Sequence, residues 1–596
     1  MKEILQKLQV ILPPGDKKKI FGIFVLMLIA AILEVIGISL ILAFISTVSN
    51  PDTLFQITWL APILQRANIT DAKGLLTYGS ILLIVLFVLK NAYIISFQYI
   101  QSHFVYRRFS AISSRLFNSY MRAPYIYHLN NNSARLVRNV TGETTLLVHY
   151  IMLPLLVVVM ESIMIISISI FLFAVEPLNT LIVLFFVGSS GIFFLRLVKK
   201  KIQHFGSESL IERETMIRRV NEGVGGIKEI LVKNRQSWFI NAFTQSIHTY
   251  AKAETYKNIF KMSARPVIET VAVAGMLLVA LVLVWQGRGV ESILPVLSLF
   301  GVATFKLMPS LDKVVSNSNV IRYYTYTLNS IHDDIAELSK IETPIHTNSD
   351  NKKISISSTL SLQKVYFRYP GSEKQVLQDV SLTIPKGAAI GFVGPSGAGK
   401  STIVDIILGL LSIDSGQILV DGKDIKNTMA AWQKNIGYIP QTIFLADNTI
   451  RNNIAFGLND NEINDAQVSR AIKMAQLEEF IASLPQGVNT MVGERGVRLS
   501  GGQRQRIGIA RALYHDPEVL VMDEATSSLD NQTEKYIIDA IENLKRDRTI
   551  IIVAHRLSTV ENCDNLFFIE KGHIKDSGTY SHIIQQNSEL LVNEKR

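Results

Sequence analysis

A glycine-rich segment, residues 394–401, reads GPSGAGKS and lies between an apolar run, AIGFV, and a helical pattern, TIVDIILGLL. Glycines let backbone N–H groups surround phosphate oxygens, and the start of a helix favours negative charge. In this context we expect Lys400 to reach the β- and γ-phosphates of a nucleotide and the Ser401 hydroxyl to bind Mg²⁺. An ordinary glycine-rich turn is the alternative for this segment taken alone. The residues predicted to surround the phosphates are Gly394, Pro395, Ser396, Gly397, Ala398, Gly399, Lys400, Ser401 and Thr402.

A second apolar run, in VLVMDEATSSLD at residues 519–530, ends in two adjacent carboxylates. Such a pair after a buried strand is typical of the second half of a nucleotide site. We expect Asp523 to hold Mg²⁺ directly or through water, and Glu524 to act as general base on the water that attacks the γ-phosphate. Together with the glycine-rich segment, this pair predicts ATP hydrolysis.

Between these motifs lies LSGGQ, residues 499–503, followed by the basic run RQRIGIAR. The chain closely resembles the ATP-binding cassette (ABC) family, because the motifs of that family occur in family order along its whole length. The resemblance implies an exporter half-transporter, with a six-helix α transmembrane domain followed by an α/β P-loop domain. The motifs are Tyr369, the glycine-rich loop, Gln441, LSGGQ, the DE pair, SSLD and His555.

The resemblance also implies roles for residues that say little alone. Tyr369 is similar to the aromatic residue that stacks on adenine, although a Tyr before Pro is usually a strand end. Gln441 is similar to the residue that senses magnesium and water, although a Gln after Pro is usually a loop residue. His555 is similar to the switch histidine that contacts the γ-phosphate and orients Glu524; the alternative is a structural histidine.

In this family the LSGGQ of one subunit closes over ATP held by the other subunit. Ser500, Gly501, Gly502 and Gln503 are then the predicted contacts of the partner's nucleotide. Because every motif is intact in one chain, two identical chains are expected to build two competent sites as a homodimer.

The first half of the chain carries the apolar runs, within a total of 596 residues of which 48% are hydrophobic. Runs of this length span about 30 Å of hydrocarbon as helices. They lie at about 20–47, 77–99, 150–174, 178–197, 266–286 and 290–309. We predict a transmembrane domain at 1–335 with long cytoplasmic helical extensions, a linker at 336–354 and an ATP-binding domain at 355–596.

Positive charge assigns the sides of the membrane. Lys17–Lys19 precede the first span, and arginines between 107 and 138 fill the second connection. By the positive-inside rule, the N-terminus and the ATP-binding domain are cytoplasmic and the protein is a multi-pass cell (inner) membrane protein. The chain has a net charge of +10, and its basic residues cluster in the loops that flank the spans. This placement favours contact with the lipid bilayer and argues against nucleic acid as a partner. The single cysteine, Cys563, excludes an intramolecular disulfide framework.

Two connections are expected to carry movement between the domains. Asn139–Thr144 and Asn221–Ile230 resemble the coupling regions of exporters. Exposed polar loops are the alternative for both.

Three cations at membrane level, Lys90, Arg265 and Lys306, suggest a site for an anionic head group. The alternative is internal pairing, since Glu34, Glu161 and Glu269 also lie at membrane level, or snorkelling of Arg265. Residues 54–69 are apolar enough to form an interfacial helix that touches lipid, or a loop that only covers helix ends.

The segments EVIGISLILAFI, GGIKEI and FKLMPS resemble flippases for lipid-linked oligosaccharides. That resemblance implies a polyprenyl pyrophosphate glycan as the amphiphilic, anionic cargo. Exporters of hydrophobic drugs, phospholipids or peptides are the alternative, and an ATP-gated channel or regulator is a third class. The intact hydrolytic residues argue against the third.

Overall fold

The structure is a computed structural model that describes residues 2–12, 15–49, 72–175, 177–285, 290–340, 353–523, 542, 544–545, 547–554 and 556–586. Within its helices, side chains are not described at 42–43, 45–49, 72, 75, 179, 182–183, 186–187, 290–300 and 302–306. The chain forms two compact units. The first comprises Met1–Ala123 and His128–Thr343, and the second comprises Pro124–Tyr127 and Pro344–Arg596.

The described part of the chain up to Lys340 is helical, because its long apolar runs satisfy their backbone hydrogen bonds internally only as helices. Their bounds are α1 (Lys2–Ile11), α2 (Asp16–Ser49), α3 (Ala72–Arg122), α4 (Tyr125–Asn130), α5 (Ser133–Val175), α6 (Pro177–Gly225), α7 (Ile227–Val232), α8 (Gln236–Met262), α9 (Ala264–Trp285), α10 (Val290–Tyr323) and α11 (Thr325–Lys340). Two π-helical turns, Asn139–Glu143 and Val148–Met152, interrupt α5.

The six predicted spans fall in six of these helices: α2, α3, α5, α6, α9 and α10. Among the described residues, Asp16–Ile41, Leu76–Arg122, Ser133–Val175 and Gln236–Trp285 are long and apolar enough to cross a membrane. Many of their large apolar side chains are exposed, as at Ile32 and Leu82, which suits lipid as the surrounding solvent. With 51 residues, α3 is about 75 Å long and therefore extends far beyond the hydrocarbon core.

A buried carboxylate, Asp334 of α11, joins three helices of the first unit. It is completely buried and accepts hydrogen bonds from the Tyr120 hydroxyl of α3 and from Arg135 and Asn139 of α5. The Asn139 Nδ2 atom lies 2.6 Å from Asp334 Oδ2. Because an unpaired buried charge is costly, these donors hold the helices on both sides of Pro124–Tyr127 against α11.

Asn139, Glu143 and Thr144 are fully buried inside the helical unit, so the exposed polar loop that was the alternative for Asn139–Thr144 is wrong. The coupling role of this segment stays a prediction. Pro124–Tyr127 belongs to the second unit, where Ile126 packs against a core cluster. The other predicted segment, Asn221–Ile230, contains the break between α6 and α7 and is largely exposed, and its coupling role stays a prediction.

Two sheets organise the second unit. A four-stranded antiparallel sheet has the order β2-β1-β4-β5, and a six-stranded sheet has the order β10-β9-β3-β8-β7-β6, parallel except for the β9–β10 hairpin. The strands are β1 (Thr359–Phe367), β2 (Leu377–Pro385), β3 (Ala389–Val393), β4 (Ser415–Val420), β5 (Lys423–Asp424), β6 (Ile436–Ile439), β7 (Val519–Asp523), β8 (Thr549–Val553), β9 (Asn565–Glu570) and β10 (His573–Gly578). The helices are α12 (Lys400–Ile407), α13 (Met429–Gln433), α14 (Ile450–Ile454), α15 (Asp465–Met474), α16 (Glu478–Ala482), α17 (Gly501–Leu513) and α18 (Tyr580–Gln586).

The parallel sheet separates two hydrophobic cores. Successive strand residues point to opposite faces, so Ile550 and Ile552 of β8 join one core while Ile551 and Val553 join the other. Continuous apolar runs such as AIGFV are typical of strands buried on both faces. The predicted fold class, a helical membrane domain followed by an α/β domain, is confirmed.

Candidate nucleotide-binding site

The glycine-rich loop leaves the carboxyl end of β3 and enters α12. Gly394 has φ +143, and a Cβ atom there would lie 2.1 Å from the Ile569 carbonyl oxygen. Only glycine fits this close approach. The Gly572 N–H donates to the Ala398 carbonyl at 3.1 Å, which fixes the far side of the loop to the turn between β9 and β10.

Lys400, the first residue of α12, is folded into this loop. Its Nζ atom donates to the carbonyl oxygens of Gly394 at 2.7 Å and Pro395 at 3.0 Å, and its side chain is buried. Ser401 is exposed beside it, whereas Thr402 is buried. The loop therefore holds a cation and an exposed hydroxyl at a helix N-terminus, an arrangement suited to phosphate.

The Tyr369 side chain lies beside the first turn of α12. Its hydroxyl is 3.4 Å from Thr402 Oγ1, and its ring meets Phe367 edge-on with 5.0 Å between the centroids. The ring is only partly buried, so one part is held by Phe367 while the rest remains accessible. An accessible aromatic ring beside the phosphate loop can stack on a base.

Asp523, the last residue of β7, lies at the same edge of the sheet as the start of the glycine-rich loop. Asp523 and Phe392 both pair with Val553 of the intervening strand β8. Because the strands are parallel, their carboxyl ends meet at one edge, where the loop begins at Gly394. The sheet thus brings together the two motifs that the sequence separates by more than a hundred residues.

Asp405, in the second turn of α12, is a neighbour of Asp523 that was not predicted from the sequence. Burial and then the charge of Asp523 raise the pKa of Asp405 to about 6. Burial and the same two carboxylates also raise the pKa of Tyr438 on β6. An acidic residue five positions after Lys400 was visible in the sequence, but its proximity to Asp523 depends on the strand order.

The predicted magnesium ligands fit a hard cation. Ser401 and Asp523 offer oxygen donors, which Mg²⁺ prefers. The field of Asp523 acts on a second carboxylate, Asp405, so this edge of the sheet carries negative charge that a cation would offset. Gln441 follows β6 by two residues and is exposed.

Ser500 begins α17 as its N-cap. The Gln503 N–H donates to Ser500 Oγ at 3.2 Å, and the Ser500 N–H donates to Gln503 Oε1 at 2.8 Å. This reciprocal capping box leaves Ser500 and Gly501 exposed at a helix N-terminus, while Gly502 is buried. Such an end presents N–H groups to an anion, as LSGGQ is predicted to do for the partner's nucleotide.

Several predicted residues lie outside the described part of the chain. These are Glu524, the SSLD segment and His555; the segment 54–69 and the side chain of Lys306 are also outside it. Strand β8 ends at Val553, two residues before His555.

The described cations at membrane level differ in their surroundings. Lys90 donates to Glu34 at 2.8 Å and both side chains are 8% exposed, so the internal pairing left open by the sequence occurs here. Arg265 is exposed on α9. Lys313 of α10 was not predicted, because the sixth span was placed at 290–309, yet it pairs with Glu161 of α5 at 2.7 Å.

Comparisons with known proteins agree with this architecture. Residues 20–307 match the model of the ABC transporter transmembrane region, and residues 377–527 match that of the ABC transporter. Proteins named ATP-dependent lipid A-core flippase are 30% identical over 475 residues in Dechloromonas aromatica and 28% identical over 479 residues in Cupriavidus metallidurans, covering 79% of each chain.

A Staphylococcus aureus protein named for multidrug export is 30% identical over 483 residues, which cover 79% of this chain and 81% of the relative. The structure of a bacterial Atm1-family ABC exporter with ATP bound has a TM-score of 0.76 at 20% identity, covering 98% of this chain and 99% of that one. That likeness shows the fold. The two matched regions, one transmembrane and one ATP-binding, give the organisation of a half-transporter, which implies assembly as a dimer within the lipid bilayer. The chain belongs to the ABC transporter family: it is a multi-pass inner-membrane exporter that hydrolyses ATP on a cytoplasmic domain.

Proposed function

We propose that two identical copies of this chain form a flippase that moves an anionic lipid-linked glycan, foremost a polyprenyl pyrophosphate oligosaccharide, across the membrane. The observation that carries the proposal is the similarity to proteins named for flipping lipid A-core over 79% of the chain. The segments EVIGISLILAFI, GGIKEI and FKLMPS favour a lipid-linked oligosaccharide within that class.

ATP is held by the loop residues 394–402, with Lys400 at the β- and γ-phosphates and Tyr369 on adenine. The buried position of Lys400 and its hydrogen bonds to Gly394 and Pro395 support this role, because the lysine is already ordered where phosphate oxygens enter.

Ser401, Gln441 and Asp523 would hold magnesium through side-chain oxygens, and the ion would supply neutralisation of phosphate charge. Glu524 accepts the proton of the attacking water, and His555 contacts the γ-phosphate and orients Glu524. The carboxyl-edge position of Asp523 supports the ligand set, since Glu524 follows it directly in the chain.

A homodimer is supported by two exposed apolar surfaces outside the membrane spans. On α7 and its flanks, Val224 and Val232 are 69% and 76% exposed. On the ATP-binding unit, Phe444, Phe456 and Val497 are exposed. Patches of this kind on cytoplasmic segments indicate a protein partner, and a second copy supplies both surfaces at once.

Movement of the cargo follows from the domain order, with 1–335 as transmembrane domain, 336–354 as linker and 355–596 as ATP-binding domain. Pro124–Tyr127 and the segment after α11 are two links to the ATP-binding unit. Asp334 connects the helices from which both links start, because its partners Tyr120 and Arg135 lie on either side of the first link and α11 precedes the second. Closure of the ATP-binding domains would therefore act on α3, α5 and α11 together.

Export of hydrophobic drugs is the second candidate, since the Staphylococcus aureus relative is named for multidrug export at 30% identity. The two candidates differ in charge. A lipid pyrophosphate needs cations along the path, whereas a drug exporter needs mainly apolar surface.

ATPase stimulation in lipid nanodiscs separates these candidates. The purified protein is assayed with a polyprenyl pyrophosphate oligosaccharide, the matching uncharged polyprenol and a hydrophobic cationic drug. Stimulation by the pyrophosphate alone is the expected result. Stimulation by the drug but not by the pyrophosphate would replace the flippase with the drug exporter.

A further inference from the structure

An ion pair inside the helical unit joins α5 to α10 and differs in exposure between its two ends. Lys313 Nζ donates to Glu161 Oε1 at 2.7 Å. Glu161 lies within the apolar stretch Leu153–Val175 and is 4% exposed, whereas the Lys313 side chain is 55% exposed. The carboxylate is therefore sealed among helices, and the ammonium is open.

The hydrogen bonds of the pair are incomplete on both sides. The second oxygen of Glu161, Oε2, is buried and has no hydrogen-bond partner within the described residues. An ammonium has three donors, and Glu161 takes one of them. Among the described residues, two N–H groups of Lys313 thus remain for another acceptor.

Other charges lie close to this pair. Lys261, Arg265 and Lys313 all act electrostatically on the carboxylate of Asp312, the residue beside Lys313 on α10. Charged side chains of membrane helices face water-filled cavities far more often than lipid tails, so a hydrated path for cargo is the better place for this exposed ammonium.

The second lysine pair at membrane level shows the contrast. Lys90 and Glu34 are each 8% exposed, and the Phe87 ring lies 4.6 Å from the ammonium, so that pair is closed and joins α2 to α3. Lys313 has the opposite arrangement. Its buried partner restricts a long, flexible side chain without covering the charge.

We propose that Lys313 binds the phosphate or pyrophosphate head group of the cargo, with Arg265 as a second donor and Glu161 as the residue that positions the Lys313 ammonium. This inference rests on the proposed flippase function and names the head-group contact within it. Charge-assisted hydrogen bonds from a pre-positioned ammonium are strong enough to select a phosphorylated lipid over its uncharged alcohol. Glu161 acts only through Lys313.

The test measures ATPase stimulation of the full-length protein in nanodiscs by polyprenyl pyrophosphate and by the matching polyprenol. Lys313→Gln should raise the half-maximal concentration of the pyrophosphate about tenfold and leave that of the polyprenol unchanged. Lys313→Arg should restore most of the response. Lys200→Gln, at an exposed lysine on α6, is the matched control and should behave as wild type.

Glu161→Gln tests the positioning role. It should weaken the response to pyrophosphate by a smaller factor, without changing the maximal rate, and should have no further effect when combined with Lys313→Gln. The double variant also removes the unpaired buried charge of Glu161 that Lys313→Gln alone leaves, so it guards against a folding defect. A tighter response in Glu161→Gln would make Glu161 a competitor of the cargo and overturn its assigned role.

The outcomes separate the two proposals. If pyrophosphate stimulates wild type and Lys313→Gln equally, the head-group contact is wrong while the flippase stands. If polyprenyl pyrophosphate stimulates neither wild type nor Lys313→Gln, while the polyprenol or a drug stimulates both, the proposed anionic cargo and the proposed Lys313 contact are both wrong.

Discussion

Replacing Tyr369 with alanine tests the nucleotide site without touching the phosphate loop. The ring is held edge-on by Phe367 and lies beside the start of α12, and its hydroxyl is 3.4 Å from Thr402 Oγ1, too long for a strong hydrogen bond. The ring rather than the hydroxyl should therefore carry the interaction with ATP.

The magnitude follows from stacking. A base on an aromatic side chain contributes about 1–3 kcal/mol, so Tyr369→Ala should weaken ATP binding by about 5- to 150-fold. Tyr369→Phe keeps the ring and should stay within about threefold of wild type. Equilibrium binding of a fluorescent ATP analogue, competed with unlabelled ATP, measures both variants.

Inorganic tripolyphosphate supplies the control, since it offers phosphates and no base. Its competition should be equal in wild type and Tyr369→Ala, because Lys400 and the loop remain intact. Equal ATP affinity in wild type and Tyr369→Ala would refute the adenine contact. Parallel loss of ATP and tripolyphosphate would mean that the substitution disturbs the loop instead.

Three further outcomes are expected. Asp334→Asn should lower the thermal midpoint, because the buried carboxylate joins α3, α5 and α11. It should also reduce cargo-stimulated ATPase more than basal ATPase, as the proposed coupling requires, and an unchanged ratio of the two rates would remove that role. Burial and the charge of Asp523 raise the pKa of Asp405 to about 6, so ionisation of Asp405 destabilises the folded protein as the pH rises through that value. The Tm of Asp405→Asn should therefore exceed that of wild type by a margin that grows between about pH 5 and about pH 7.5. A margin that does not change with pH would contradict this. Burial raises the pKa of the Cys563 thiol to about 12. Maleimide labelling of Cys563 near neutral pH should therefore be at least about a hundredfold slower in the native protein than in denaturant. Fast labelling of the native protein would contradict the buried position.

Much of the fold was predictable because its signals are local. Apolar runs long enough to span hydrocarbon predicted helices at all six positions where the structure has them, and the strand–GPSGAGKS–helix order predicted the loop before Lys400. The position of Asp523 beside that loop was predictable as a family motif, and the register through Val553 now gives its physical basis.

What could not be predicted depends on contacts between distant segments. Asn139–Thr144 was predicted to be a coupling segment, with an exposed polar loop as the alternative. Asn139 is instead buried within a π-helical turn, where it donates to Asp334, almost two hundred residues later in the chain. Lys313 looked like a residue beyond the sixth span, and only the packing of α10 on α5 sets it beside Glu161. Polar residues in helices have no local signal for the partner that they meet.

Flipping of a fluorescent polyprenyl pyrophosphate oligosaccharide in proteoliposomes tests the central claim most directly. The purified protein is compared with ATP, without ATP, and as the Glu524→Gln variant, with ATP hydrolysis measured in the same samples. The account predicts flipping that requires ATP and is lost in the variant. Absence of flipping by a wild-type protein that hydrolyses ATP normally would contradict the proposed cargo.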